Sequence, residues 1–148
     1  VEKNGGDREI LIHSACIETS PKDAFADRLS AVAGECARLM ELHSPDHIAM
    51  EKLFFQTNKK TAMQVAEVRG ALIHAAHVAG IEMYEYSPGE VKSAVAGSGS
   101  ADKTQIAKMV RSLIKIDRPI QHDDEYDAIA IGVTHLALVR SIIARRTA

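Results

Sequence analysis

The chain has 148 residues, 46% of them hydrophobic and 26% charged, which is one domain's worth of sequence with enough apolar material for a core. A formal net charge of −2 excludes a globally basic protein, so any nucleic-acid binding must use basic groups clustered on one face. No apolar run approaches the ~20 residues of a membrane span, and no signal peptide is visible at the N-terminus.

The sequence starts at Val1 without a methionine, and Asn4-Gly5-Gly6 reads as a hairpin turn. Such a turn implies an incoming strand of which Val1 and Glu2 remain, so the chain is expected to lack its true beginning. Residues 9–18 read as a strand. Ser20-Pro21-Lys22-Asp23 then opens a helix, with Ser20 as N-cap and Pro21 at the first helical position. Phe25, Leu29, Val32, Cys36 and Leu39 continue it at helical spacing until Ser44-Pro45-Asp46. Residues 47–51 form a short strand, 54–60 a loop, and 61–79 a second long helix closed by Gly80. A strand over 81–86 leads into Ser87-Pro88-Gly89-Glu90, which repeats the capping pattern and starts a short helix. Gly97-Ser98-Gly99-Ser100 is a flexible link. Ile106, Met109, Val110 and Leu113 mark a further helix, and the last runs over 124–144. Strands alternating with helices give an α/β fold whose central sheet is covered on both faces. No repeat or domain boundary is visible. Cys16 and Cys36, far apart and without a CxxC, read as reduced core thiols of a reducing compartment.

The chemistry concentrates at the start of the last helix. Asp124 and Asp127 are spaced i, i+3, which puts them on one helix face with Cβ atoms roughly 5–6 Å apart. Carboxylates that close repel each other unless a cation sits between them, and hard cations such as Mg²⁺ favour such oxygens. Helix capping is the competing reading, since acids in a first turn complement the macrodipole. Asp123 and Glu125 are assigned to capping. Glu51 closes the apolar strand Ile48-Ala49-Met50, and ligand groups gather at the carboxyl ends of strands in α/β sheets. Glu51, Asp124 and Asp127 together make a plausible three-carboxylate cage, able to hold metals for in-line attack on a phosphodiester.

Several segments carry a resemblance. They are Met50-Glu51-Lys52-Leu53-Phe54-Phe55 with Asn58-Lys59, Val68-Arg69-Gly70, Val91-Lys92 through Gly97-Ser98-Gly99-Ser100 to Lys103, and Asp124 through His135. In this order they resemble the RuvC-type Holliday junction resolvases, within the RNase H-like nucleases, over essentially the whole chain. The resemblance implies a single nuclease domain over 1–148, with an RNase H-like mixed central sheet lacking its first strand. It implies a homodimeric, Mg²⁺-dependent endonuclease of the bacterial cytoplasm, holding a metal pair for which Mn²⁺ can substitute. That enzyme nicks two opposed strands of a four-way DNA junction in recombination and repair, alongside a branch-migration helicase complex. Carried over, Glu51, Asp124 and Asp127 are catalytic metal ligands. The family's further catalytic Asp, in an Asp-Pro-Gly motif on its first strand, has no counterpart in these 148 residues. The parent protein is therefore the expected enzyme, and these residues alone are expected to be inactive.

Lys92 and Lys103 flank the Gly-Ser link, and the resemblance makes them phosphate contacts. From spacing alone they are as readily solvated surface lysines. Lys59, Lys60, Lys108 and Arg111 extend the same basic surface under the same alternative. Phe54 and Phe55 lie at a strand exit, where an aromatic either stacks on an unpaired base or fills the core. The resemblance favours Phe54 as the base contact and leaves Phe55 open. His74 and His77 lack a third ligand and read as surface or interface residues. His122 stands next to the acids and could assist them, whereas His135 lies three turns along the helix. Met63 and Met109 read as packing. Ala62, Ala66, Ala71, Ala75 and Ala76 let the 61–79 helix approach a second copy of itself, so a homodimer is expected there. The rival to a junction endonuclease is a catalytically inactive RNase H-like module that binds structured DNA or a protein partner. A weaker alternative is a relative acting on RNA.

Overall fold

Helices alternate with short strands in the order β1 (Glu9–Ile10), α1 (Phe25–His43), β2 (His47–Glu51), α2 (Lys59–Val78), β3 (Glu82–Tyr86), α3 (Pro88–Ala96), α4 (Lys103–Leu113), β4 (Ile114–Lys115) and α5 (Asp123–Arg146). The computed structural model describes residues 1–3, 8–52 and 59–146, with backbone alone for 59–60 and 140–146. The expected Asn4-Gly5-Gly6 turn, the loop at 54–58 and both Phe54 and Phe55 lie outside the described residues. Among those residues the strands form two two-stranded sheets, β1 with β4 and β2 with β3. β1 and β4 are parallel, with Glu9 opposite Ile114 and Ile10 opposite Lys115. Glu2 and Ile10 add an antiparallel bridge, exchanging two backbone hydrogen bonds of 3.0 Å.

Although no boundary is legible in the sequence, the chain groups into two compact units. One comprises Val1–Cys16, Ala49–Lys52 and Glu85–Ala148; the other comprises Ile17–Ile48 and Leu53–Tyr84. In the first, α3, α4 and α5 pack on one another. Their apolar stripes meet in a core that includes Val91, Val95, Ile106, Val110, Ile129, Ala130 and Val133. In the second, α1 packs on α2.

Two local expectations need correction. The strand over 9–18 stops after Ile10. Leu11 still donates to Lys115 O, but beyond it Ser14 is held by side-chain partners instead of a ladder, and Ile12 and Ile17 are exposed. The helix does not begin at Ser20. The Ser20 hydroxyl accepts from Lys22 N at 3.2 Å and its carbonyl from Asp23 N at 3.1 Å, so Ser20-Pro21 makes a turn of its own. α1 starts at Phe25, and Ala24 at its N-cap offers no side-chain cap.

Other signals hold. Gly80 sits at φ +71° and donates to His77 O, while Ile81 donates to Ala76 O, both at 3.0 Å. That pair of bonds is a Schellman motif, which requires the left-handed conformation glycine adopts without penalty. Ser87 and Glu90 form a full capping box: Glu90 N donates to Ser87 Oγ at 3.2 Å and Ser87 N to Glu90 Oε2 at 2.7 Å. An unexpected second box joins Asp102 and Gln105 at the start of α4.

Candidate active site

The site residues whose side chains are described all belong to the unit that contains α3, α4 and α5. β2 ends in Glu51, and the next amide, Lys52 N, donates to Tyr86 O at the end of β3 at 2.9 Å. Ser87 then starts α3 directly. The carboxyl end of β2 thus delivers Glu51 to a cavity of about 220 Å³, lined by Glu51, Pro88, Val91, Lys92, Lys103, Ile106, Asp127, Ala130 and Ile131. Its floor is apolar, from α3, α4 and α5. Its charged groups come from four elements: an acid from β2, one lysine each from α3 and α4, and an acid from α5.

Lys103 Nζ stands 3.5 Å from Asp127 Oδ2, with both side chains half or more exposed. Lys52 Nζ lies 3.5 Å from Glu90 Oε2. Backbone and side-chain hydrogen bonds from Ser87, the largest influence, hold the Glu90 carboxyl below its ordinary range, against a partial desolvation. Asp124 is exposed and does not line the cavity, although it lies on α5 one turn before Asp127. The oxygens of Glu51, Asp124 and Asp127 are not all within 4.8 Å of one another. An all-carboxylate donor set on the rim of a cavity fits a hard divalent cation. The Lys103 ammonium already lies against Asp127.

The structure brings together Glu51, Asp127, Lys92 and Lys103 and leaves Asp124 at the edge. Lys59 and Lys60 open α2 in the other unit, and their side chains are outside the described residues. His135 is turned into the core, its Nδ1 2.9 Å from the Tyr86 hydroxyl, as expected of a residue too far along the helix to reach the acids. Arg111 lies over the Tyr126 ring at 5.1 Å, so it braces α4 against α5. Cys16 and Cys36 are free thiols, but neither is a core residue as expected: Cys16 is exposed and Cys36 half-buried.

Glu125 is the residue whose role the sequence understates. It does reach back to backbone amides, accepting from Gln121 N at 3.2 Å and His122 N at 3.3 Å, as a capping acid does. Yet it is also 3% exposed, pairs with Arg118 at 2.9 Å and accepts from Ser14 Oγ at 2.6 Å. The Ser14 hydroxyl bond, aided by Arg118 and the two amides, holds its carboxyl down to about 2 against the opposing pull of burial. Only the i, i+3 relation to His122 was legible; the partner at Ser14 is 111 residues away.

Comparisons with known proteins give the family. The family model "Crossover junction endodeoxyribonuclease RuvC" matches residues 1–135. A protein of that name from Pelotomaculum thermopropionicum is 39% identical over 130 residues, which are 88% of this chain and 79% of the relative. The Thermus thermophilus RuvC structure superposes with a TM-score of 0.84 at 31% identity, covering 95% of this chain and 85% of that one. T. thermophilus RuvC in complex with Holliday junction substrate gives a TM-score of 0.83 at 31% identity, covering 89% and 80%. The likeness carries the RNase H-like α/β fold expected from the sequence. The chain belongs to the crossover junction endodeoxyribonuclease RuvC family.

Proposed function

We propose that this chain is a divalent-metal-dependent endonuclease that resolves four-way DNA junctions during recombination and repair. The observation that carries the reading is the single cavity that gathers Glu51 and Asp127 with Lys92 and Lys103. Acids alone would suggest a cation site, and lysines alone a surface patch. Both on one rim fit a phosphodiester that approaches a bound cation. Glu51, Asp127 and Asp124 would hold Mg²⁺, which when bound supplies an activated water and charge stabilisation at the leaving oxygen. Lys92 and Lys103 orient the scissile phosphate as point charges, and Lys103 neutralises Asp127 while doing so. The apolar floor from Val91, Ile106, Ala130 and Ile131 keeps bulk water from the reacting face. Phe54 as a base contact and Lys59 and Lys60 as backbone contacts complete the DNA surface by resemblance.

The match to a relative in complex with Holliday junction substrate supports a four-way junction as the DNA partner. Met63, Val65, Ile73 and Val78 of α2 are large, apolar and exposed, which supports a homodimer built on that helix. Ala76 is fully buried within the chain itself, so its part of the alanine-rich stretch is already spent on internal packing. A branch-migration helicase complex is the further partner, in the bacterial cytoplasm. An inactive binding module is not favoured, because such a module has no use for acids and lysines sharing one cavity.

The test is to compare cleavage and binding of one four-way junction by the full-length protein and its Glu51→Gln, Asp124→Asn and Asp127→Asn variants. Nicking falls by about a hundredfold or more in each, while binding stays within about threefold, because phosphate contacts come from other residues. Undiminished nicking by Glu51→Gln and Asp127→Asn would sink the assignment.

A further inference from the structure

The three acids that follow Asp123 near the start of α5 have opposite fates. Asp124 and Asp127 are exposed, and Glu125 between them is buried. Burying a carboxylate is costly unless it is paired and hydrogen-bonded. Here each oxygen is used. Oε2 accepts from Ser14 Oγ at 2.6 Å and from Arg118 at 2.9 Å; Oε1 accepts from Gln121 N at 3.2 Å and His122 N at 3.3 Å. Arg118 also donates to the Ser14 carbonyl and hydroxyl, which closes a three-membered network. One carboxylate therefore ties together the segment after β1, the link between β4 and α5, and the first turn of α5. Helix ends normally fray, and this one carries the acids.

We propose that Glu125 is a positioning residue: its bonds to Ser14, Arg118 and the Gln121 and His122 amides fix the first turn of α5, and so set how tightly Asp124 and Asp127 hold a divalent cation. The inference rests on the reading of those two acids as metal ligands. Glu125 is buried and both its oxygens are taken by protein donors, so it is assigned no direct part in holding the cation or the DNA. Its effect travels through the backbone of one helical turn, as groups behind metal ligands orient the ligands themselves. The network is chemically specific. A glutamine at this position keeps the shape but has only one acceptor oxygen, so its NH₂ must face either Arg118 and Ser14 or the Gln121 and His122 amides, all of which donate.

The experiment is calorimetric titration of the full-length protein with Mg²⁺, without DNA, for the wild type and the Glu125→Gln, Ser14→Ala and Arg118→Gln variants. Circular dichroism serves as the check on folding. Glu125→Gln is expected to weaken Mg²⁺ binding about tenfold. Ser14→Ala and Arg118→Gln, which each remove part of the network, weaken it by about two- to fivefold. Cleavage by Glu125→Gln returns to near the wild-type rate when Mg²⁺ is raised in proportion, and junction affinity is unchanged. If Glu125→Gln does not fold, the two milder variants decide the matter. Folded variants that bind Mg²⁺ as the wild type does overturn the proposal and leave the endonuclease reading standing. A wild type that binds no Mg²⁺ and nicks no junction overturns that reading instead. Weakened binding that no Mg²⁺ concentration rescues also counts against positioning, since it points to a lost catalytic group.

Discussion

In the unit that holds the cavity, Val110 and Ile114 are essentially inaccessible, and α5 adds Ile129, Ala130, Val133 and Val139 to the same core. In the other unit, α1 buries no residue at all, and Leu42, Met63, Val65, Ile73 and Val78 stand in solvent. The contrast separates two ways of using apolar sequence. One unit uses most of its hydrophobic residues internally, Ile12 being an exception, and frames four charged groups with that core. The other keeps a surplus on its surface, and a surplus of that size calls for a second surface to cover it. On the proposed reading, chemistry and assembly fall to different stretches of the chain.

The sharpest way to break this comparison is a pair of truncations. Ile114→Ala, at 1% exposure, should cost about 2–5 kcal/mol, while Leu42→Ala, at 62% exposure, should stay within about 0.5 kcal/mol. Urea titration of both variants measures this; equal costs would erase the distinction. A second prediction concerns acid. The Glu125 carboxyl is held at about 2, below its ordinary 4.5, so it binds protons more readily in the unfolded chain than in the native one. Its contribution is complete above about pH 4.5 and is lost as pH falls towards 2. Urea midpoints taken between pH 6 and 2 should therefore decline more steeply for the wild type than for Glu125→Gln. Parallel declines would show that the buried pair adds nothing to acid sensitivity. The smallest effect on the folded chain belongs to Val78→Asp, at 72% exposure on α2. It should leave the urea midpoint of the protomer almost unchanged but weaken the homodimer about tenfold or more, read by sedimentation at micromolar concentration. An unaltered dimer would move the interface elsewhere.

How much of this was legible in the sequence depends on the range of the interactions. The bounds of β2, the Ser87 box and the Gly80 stop all follow from residues within a few positions of one another, and all are found as read. The acids and lysines of the cavity were visible as residue types in family-like segments, and their meeting in one cavity depends on packing that no local pattern encodes. Of the features that escaped, three show the reason. β4 is two residues long and carries no turn signature. Ser20 satisfied the capping pattern yet used its oxygens on a local turn, which competes for the same donors. Glu125 looked like a routine first-turn acid because Ser14 and Arg118, which give it its role, meet it only in the folded chain.

The capping boxes have a consequence for exchange with solvent. A helix's first amides usually lack partners and swap their hydrogens with water through fraying alone. In α3 and α4 the side chains of Ser87 and Asp102 accept from Glu90 N and Gln105 N, while Glu90 and Gln105 accept in return from Ser87 N and Asp102 N. Those four amides can exchange only when the box opens. α1, entered through Ala24, has no side-chain bond of this kind. The two helices that carry Lys92 and Lys103 therefore hold these four amides against deuterium for longer than the entry to α1 holds its own.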